Sequence, residues 1–346
     1  VLYQQKMLLH LLKLFNGERS IYGIYHLLKG KKSAQTLQDA TIFNLQSYFG
    51  TGSDLQKHEL EQMVGDLQQK GWIHSVADDG CYIVTDNGLS QLAAAPFQFP
   101  PHINGWRYRE QARLFWQRLR LTVQTLSHLI NHHSGFSPVI TDYDVLQSVR
   151  EYLLHMRAER WEVARSLYHE LEQLLRSAPE VEAELIVRQL SGKGVSGLTL
   201  YQVAQRLKLE PLQAEHLLMN RLHYILQTIS VDDYPHLYQL AGHETGALTY
   251  TALKTERMLE QGYMLNQIAE LRKLKRNTIE DHIVEIAMNR PSFDISVYVD
   301  LNKQQYILKT VQMTHSKRLR DIKEKLPDDY RYFDIRLVLA KGRGSS

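Results

Sequence analysis

Apolar residues recur three and four positions apart along most of the chain, and polar turn residues cut that rhythm into short helices. The spacing predicts helices over 2–15, 21–30, 36–48 and 56–69. Gly17 and Gly30 end the first two, Ser20 caps the second, and Ser53 or Asp54 is placed to cap the fourth. Two apolar runs, Trp72–His74 and Tyr82–Val84, flank the tip Ala77-Asp78-Asp79-Gly80, which is a hairpin signal, and Thr85–Leu92 returns to helix. Helices followed by a hairpin predict a winged helix.

Pro96, Pro100 and Pro101 mark a linker, after which helices are predicted from Trp106 to Asn131, over 142–155 and over 160–176. Trp106, Trp116 and Trp161 are expected in the core or between helices. His132 and His133 read as a helix end, because two neighbours cannot share one helix face and no second cluster stands ready to complete a metal site. The Gly-Lys pair in Ser191–Gly197 lacks both the glycine five residues earlier and the Ser or Thr after the lysine that a phosphate loop needs. That segment reads as a flexible loop.

Two later stretches share a helix-turn-helix rhythm. In Leu198–Leu226, Thr199 can cap a helix carrying Val203, Ala204 and Leu207, Lys208–Pro211 is the turn, and Ala214, Leu217 and Leu218 follow. Arg206, Lys208 and Arg221 can face phosphate there, diluted by Glu210 and Glu215. In Thr249–Arg290, Leu253, Met258, Leu259, Ile268, Ala269, Leu271, Ile279, Ile283 and Ile286 can close one small core, with Gly262 at the exit from the first helix. The two stretches align as a weak repeat, Thr199, Val203-Ala204, Leu207 and Leu209 against Leu265, Ile268-Ala269, Leu271 and Leu274. The pattern fits a nucleic-acid reader, with a plain three-helix bundle as the lesser alternative that periodicity alone does not exclude. Beyond Pro291, helices are predicted over 304–313, 316–325 and 330–340. The expected fold is mainly α: an N-terminal winged helix with a small β-hairpin, a helical middle region and tandem helix-turn-helix modules in the C-terminal half. The boundaries fall at 1–95, a linker 96–105, 106–190, 191–247 and 248–341.

Composition narrows the function classes. The chain of 346 residues is 43% hydrophobic and 23% charged, as in ordinary globular domains. Cys81 is the single cysteine, which excludes a disulfide framework and fits a reducing cytosol; in a strand signal it is expected in the core. No apolar run is long enough to span a membrane, and the opening VLYQQKMLLHLLKLF is amphipathic, unlike a signal peptide. Charge is uneven. Residues 1–100 hold eight Lys/Arg against nine Asp/Glu, residues 101–250 hold 15 against 16, and residues 251–346 hold 18 against 13. The positive excess therefore lies in the C-terminal quarter and favours a polyanionic partner there. The candidate phosphate-contacting residues are Arg272, Lys273, Lys275, Arg276 and Asn277, with Lys317, Arg318 and Arg320 in the later basic segment. Glu280 and Asp281 are expected on or near the exposed face of the third helix, where carboxylates accept only from cytosine amino groups, so weak or structure-selective binding is favoured over operator reading. No phosphate loop, paired metal cluster or glycine-flanked nucleophile occurs, so neither cofactor nor metal nor enzymatic activity is expected.

The residues GIYHLLKGKKS (Gly23–Ser33), LQSYFGTGSDLQKHEL (Leu45–Leu60) and YIVTDNGLSQL (Tyr82–Leu92) resemble the RQC winged-helix domain that follows the motor of RecQ-family DNA helicases. The motor motifs and the four-cysteine zinc module that precede this wing in the family are absent here, and the tip bears Asp78 and Asp79 with no aromatic wedge. Thr251–Thr255, Gly262, Ile268–Leu274, Thr278–Ile283, Ile322–Leu326, Tyr332 and Ile335–Val338 resemble the helicase-associated helix-turn-helix domain at the C-terminus of many bacterial RecQ-type helicases, with Arg290-Pro291 replacing small residues after the third helix. Together the two likenesses imply the accessory half of such a helicase on a separate polypeptide. Its implied partners are a RecQ-type helicase and DNA, single-stranded or forked, read with weak sequence preference. Its implied work is in DNA replication, recombination or repair, in the cytoplasm or at the nucleoid. A helix-turn-helix transcriptional regulator is the alternative.

Overall fold

The computed structural model describes residues 2–77, 80–133, 135–156, 158–242, 248, 250–290, 292–314 and 319–341. Two compact units emerge: residues 1–10 with 87–244, and residues 11–86 with 245–346. None of the described helices is long and apolar enough to cross a membrane.

The N-terminal elements are α1 (Tyr3–Phe15), α2 (Ile21–Lys29), α3 (Ala34–Ile42), a 3₁₀ turn at Gln46–Tyr48, α4 (Lys57–Gln69), the strands β1 (Ile73–Ala77) and β2 (Cys81–Val84), and α5 (Asp86–Ala94). The strands pair antiparallel with Ile73 opposite Val84, giving the expected hairpin, and Cys81 is buried. Asp78 and Asp79, at its tip, lie outside the described residues. Two details differ from the sequence reading. α3 stops at Ile42 instead of continuing to Tyr48, because Asn44 takes a left-handed conformation (φ 56°) that no helix continues through. The start of α4 is held by Glu59, whose carboxylate accepts from the Gln56 N–H at 2.7 Å; neither Ser53 nor Asp54 caps it.

The unit of residues 1–10 and 87–244 is built on α6 (Gly105–Leu129), α7 (Tyr143–His155), α8 (Arg160–Arg176), α9 (Glu180–Val187), α10 (Leu200–Leu207), α11 (Pro211–Thr228) and α12 (Pro235–Ala241). One core joins α6, α7, α8, α11 and α12 around Phe115, Leu119, Val163, Ile225 and Leu237. The short α12 has too few periodic positions to announce itself in sequence. Its N-terminus is fixed by the buried Glu170, whose two oxygens accept from the His236 and Leu237 N–H groups at 3.2 and 2.9 Å. A smaller core of Leu185, Val203, Ala204 and Ala214 closes α9, α10 and α11 into the first helix-turn-helix-like module.

Three expectations are corrected in this unit. Trp161 is not packed in the core: it is 55% exposed on α8, with the Arg165 guanidinium 5.7 Å from its ring. The segment Ser191–Gly197 is not a loose loop. A Cβ on Gly197 would stand 2.4 Å from the Gln189 carbonyl oxygen, so glycine is there because backbone passes backbone. Arg221, a candidate for phosphate, is buried and meets Glu182 at 2.7 Å, with Asn220 donating to the same carboxylate at 2.8 Å.

His223 is also buried in α11, where its Nδ1 accepts the Asn104 N–H at 3.0 Å, and burial pushes its pKa from 6.5 down to about 3. The unfolded chain takes a proton on this ring below about pH 6.5 while the folded chain does not. Stability is therefore expected to fall by about 1.4 kcal/mol for each pH unit from there toward pH 3 on account of this ring. Urea melts across that range should show a shallower decline for His223→Gln, whose side-chain carbonyl can still accept from Asn104; an unchanged slope would contradict the assignment.

The last elements are α13 (Tyr250–Glu260), α14 (Leu265–Leu271), α15 (Arg276–Asn289), α16 (Leu301–Thr314), α17 (Leu319–Lys323) and α18 (Tyr332–Lys341). α13, α14 and α18 all pack on α15, and α18 also meets α3 within the same unit.

Candidate nucleic-acid interface

α14, the turn after it and α15 form the second helix-turn-helix. Gln267 accepts from the Met264 N–H at 2.7 Å and squares off the start of α14. At its other end Lys273 takes φ 52°, and the Lys273 and Leu274 N–H groups reach the Glu270 and Ala269 carbonyls at 3.1 and 2.9 Å. That reversal turns Leu274 inward to half-burial and leaves Lys273 and Lys275 exposed. The first module repeats the device. Gln202 accepts from the Thr199 N–H at 2.9 Å, Lys208 takes φ 56°, and the Lys208 and Leu209 N–H groups reach Gln205 and Ala204 at 3.2 and 2.9 Å. The repeat seen in sequence is thus real in geometry, with two shifts of register: Thr199 corresponds to Met264, not to Leu265, and Leu207 to Arg272, not to Leu271, which is 61% exposed.

α15 is enclosed along most of its length. Ile279, Ile283 and Ile286 are fully buried, and Glu280, His282, Val284, Glu285 and Ala287 are nearly so. Only its first turn, with Arg276 and Asn277, is well exposed. Lys275 is the N-cap residue, no carboxylate stands in the first turn, and no side chain caps the helix. The first N–H groups and the positive end of the helix dipole therefore face outward beside Lys273, Lys275 and Arg276, an arrangement suited to an anion. Lys273, Lys275 and Asn277 have no side-chain partner among the described residues.

The other candidates divide. Arg272 is half-buried and committed inward: it donates to the Thr251 carbonyl at 2.8 Å and to the Thr255 hydroxyl, which itself meets His282 Nδ1 at 2.8 Å. Burial, aided by the Arg272 charge and opposed by Asp281, pushes the His282 pKa below the usual imidazole value. Arg276 pairs with Glu280 at 3.2 Å but its side chain stays 54% exposed. Glu280, expected on the exposed face, is buried and also takes Arg331 at 3.1 Å, while Asp281 is half-buried and held by Arg336 at 2.7 Å. Glu280 is thereby withdrawn from the surface, while the Asp281 side chain stays 42% exposed with its charge paired. Arg331 and Arg336, some fifty positions away, gave no sequence signal of that role. Lys317 and Arg318 lie outside the described residues. Arg320 is exposed, pairs with Glu324 at 2.9 Å, and lines a different cleft of about 680 Å³ with Arg19, Gln38 and Arg336.

The first module offers no comparable end. Glu210 replaces the lysine at the N-cap of α11 and accepts the Gln4 N–H at 3.4 Å, and Tyr3 bonds His216 of α11 at 2.8 Å. An acidic, occupied helix start repels phosphate where the start of α15 attracts it.

A family model described as a helix-turn-helix domain matches residues 251–339, the stretch from α13 to α18. Over the whole length, the chain is similar to Protein YpbB of Bacillus subtilis (strain 168), with 33% identity over 343 residues, covering 98% of this chain and 97% of that protein. No solved structure matches it.

Proposed function

The chain belongs to the family of the Bacillus subtilis protein YpbB, and from that premise we propose that it is a non-enzymatic accessory protein of a RecQ-type helicase that holds DNA through the exposed start of α15. The observation that carries the DNA half of this reading is the pairing of a bare helix N-terminus with Lys273, Lys275 and Arg276 in one exposed turn. The helicase half rests on the resemblance of the winged helix and of residues 251–339 to the two domains that follow the motor in such helicases.

The burial of α15 favours this over a transcriptional regulator. A recognition helix reads operators with side chains along its flank as well as its start. Here the flanks are covered by α13, α14 and α18, and only a cationic tip remains. Phosphate contacts with weak sequence preference follow, on forked or single-stranded DNA, in the cytoplasm or at the nucleoid. A single discrete footprint would favour the regulator, and ATP hydrolysis by the pure chain would remove the word non-enzymatic. The direct test is affinity purification from native lysate with and without nuclease. Recovery of a RecQ-type helicase despite nuclease is expected; its absence under both conditions would refute the accessory role.

A further inference from the structure

A second concave surface lies at the opposite end of α14 from its cationic turn. A groove of about 700 Å³ lies between the end of α13, the connection Gly262–Met264 and the segment 292–298. Its floor is apolar: Leu259 and Phe293 pack on the small core of Leu248, Ala252 and Ile286, and the Phe293 ring stacks on Tyr298 with centroids 6.2 Å apart. Part of its rim is apolar as well, and exposed. Met264 is 72% exposed, Val297 78% and Tyr263 40%. Apolar side chains grouped in a concavity of this size are the usual mark of a binding site, and a methionine at the rim adapts to varied contacts.

The charges at the groove say what fits it. Three carboxylates line it against one guanidinium. Arg290 is spent on Glu256 in a two-pronged pair at 2.7 and 3.1 Å, which leaves Glu260 and Asp294 exposed at the edge. The Ser296 N–H and hydroxyl, both at 2.8 Å, hold the Asp294 pKa below the usual carboxylate value, with the Lys341 charge adding to it. Such a rim repels a phosphate backbone, so the groove does not extend the DNA surface. It complements an apolar segment carrying cations, the chemistry of an amphipathic helix laid in a groove.

We propose that this groove docks a basic amphipathic segment of a partner protein, with apolar side chains on Leu259, Phe293 and Tyr298 and a lysine or arginine at Glu260 and Asp294. The inference rests on the accessory reading for what the partner does, while the groove's chemistry stands without it.

The test uses the full chain and two fluorescein-labelled helical peptides, one with leucine at helical spacing and lysine elsewhere, the other with every lysine replaced by glutamate. The basic peptide is expected to bind at least about tenfold more tightly than its acidic twin, and Val297→Glu or Met264→Glu to weaken it at least about tenfold. Glu260→Lys should lower the preference for the basic peptide. Because Met264 and Val297 are exposed, these variants should keep the parent's thermal melt and its DNA affinity. A loss of DNA binding would instead concern the cationic turn, so the two readings fail separately. Equal binding of the two peptides, binding insensitive to both rim variants, or self-association of the chain that Val297→Glu abolishes without any peptide binding would overturn the proposal.

Discussion

Replacing Lys273, Lys275 and Arg276 together by glutamate is expected to weaken binding to forked or single-stranded DNA by roughly a hundredfold at low salt. Three charge-assisted phosphate contacts at about 1 kcal/mol each give that figure, and reversal adds repulsion that salt screens. The thermal melt should barely change, because Lys273 and Lys275 are exposed and the Arg276–Glu280 pair is replaced in part by Arg331 on the same carboxylate. Arg272 should behave in the reverse way. Its alanine variant loses the bonds to Thr251 and Thr255 that tie α14 to α13, and it should cost about 1–3 kcal/mol of stability. An equilibrium DNA titration run beside a urea melt separates the two residue classes. A triple variant that keeps its affinity would remove the turn from the interface.

Glu182→Leu is expected to be among the most destabilising single changes outside that interface. Glu182 and Arg221 are both buried, and Asn220 depends on the same carboxylate. Removing the acid strands a guanidinium without water or partner, which costs about 3–5 kcal/mol. Glu182→Leu combined with Arg221→Met should recover most of that loss, because the isolated charge goes too. Urea denaturation of the three variants checks this; a single-variant loss below about 1 kcal/mol would show the pair to be idle.

Local pattern carried the helices well, because apolar spacing and turn residues are sequence-local. Thr199 caps α10 as its spacing suggested, and the two lysine-centred turns were visible as a repeat. What failed was long-range. Nothing near Glu280 or Asp281 announces Arg331 or Arg336, so Glu280, which looked exposed, is buried and paired, and Asp281, still partly exposed, has its charge met by Arg336. Arg221 looked like a phosphate ligand for the same reason: Glu182 lies 39 residues earlier. Trp161 reads in sequence as a core or interhelix residue, yet the register of α8 turns it outward. The candidate site was legible as a basic turn, but which of its cations are available depended on which face of α14 and α15 the rest of the unit covers. The groove beside Met264 was hidden because Leu259 on its floor reads as an ordinary core position in sequence.

The central claim is that the start of α15 grips DNA by its phosphates. Its most direct test is the affinity of the unaltered chain for a forked oligonucleotide between 50 and 200 mM salt. Each neutralised phosphate contributes about −0.7 to −0.9 to the slope of log K against log salt, so three cations predict a slope of roughly −2 to −3. A slope near that range, with the same value on unrelated sequences, is the expected result. No measurable binding at the lowest salt, or affinity that depends on sequence and not on salt, would contradict it.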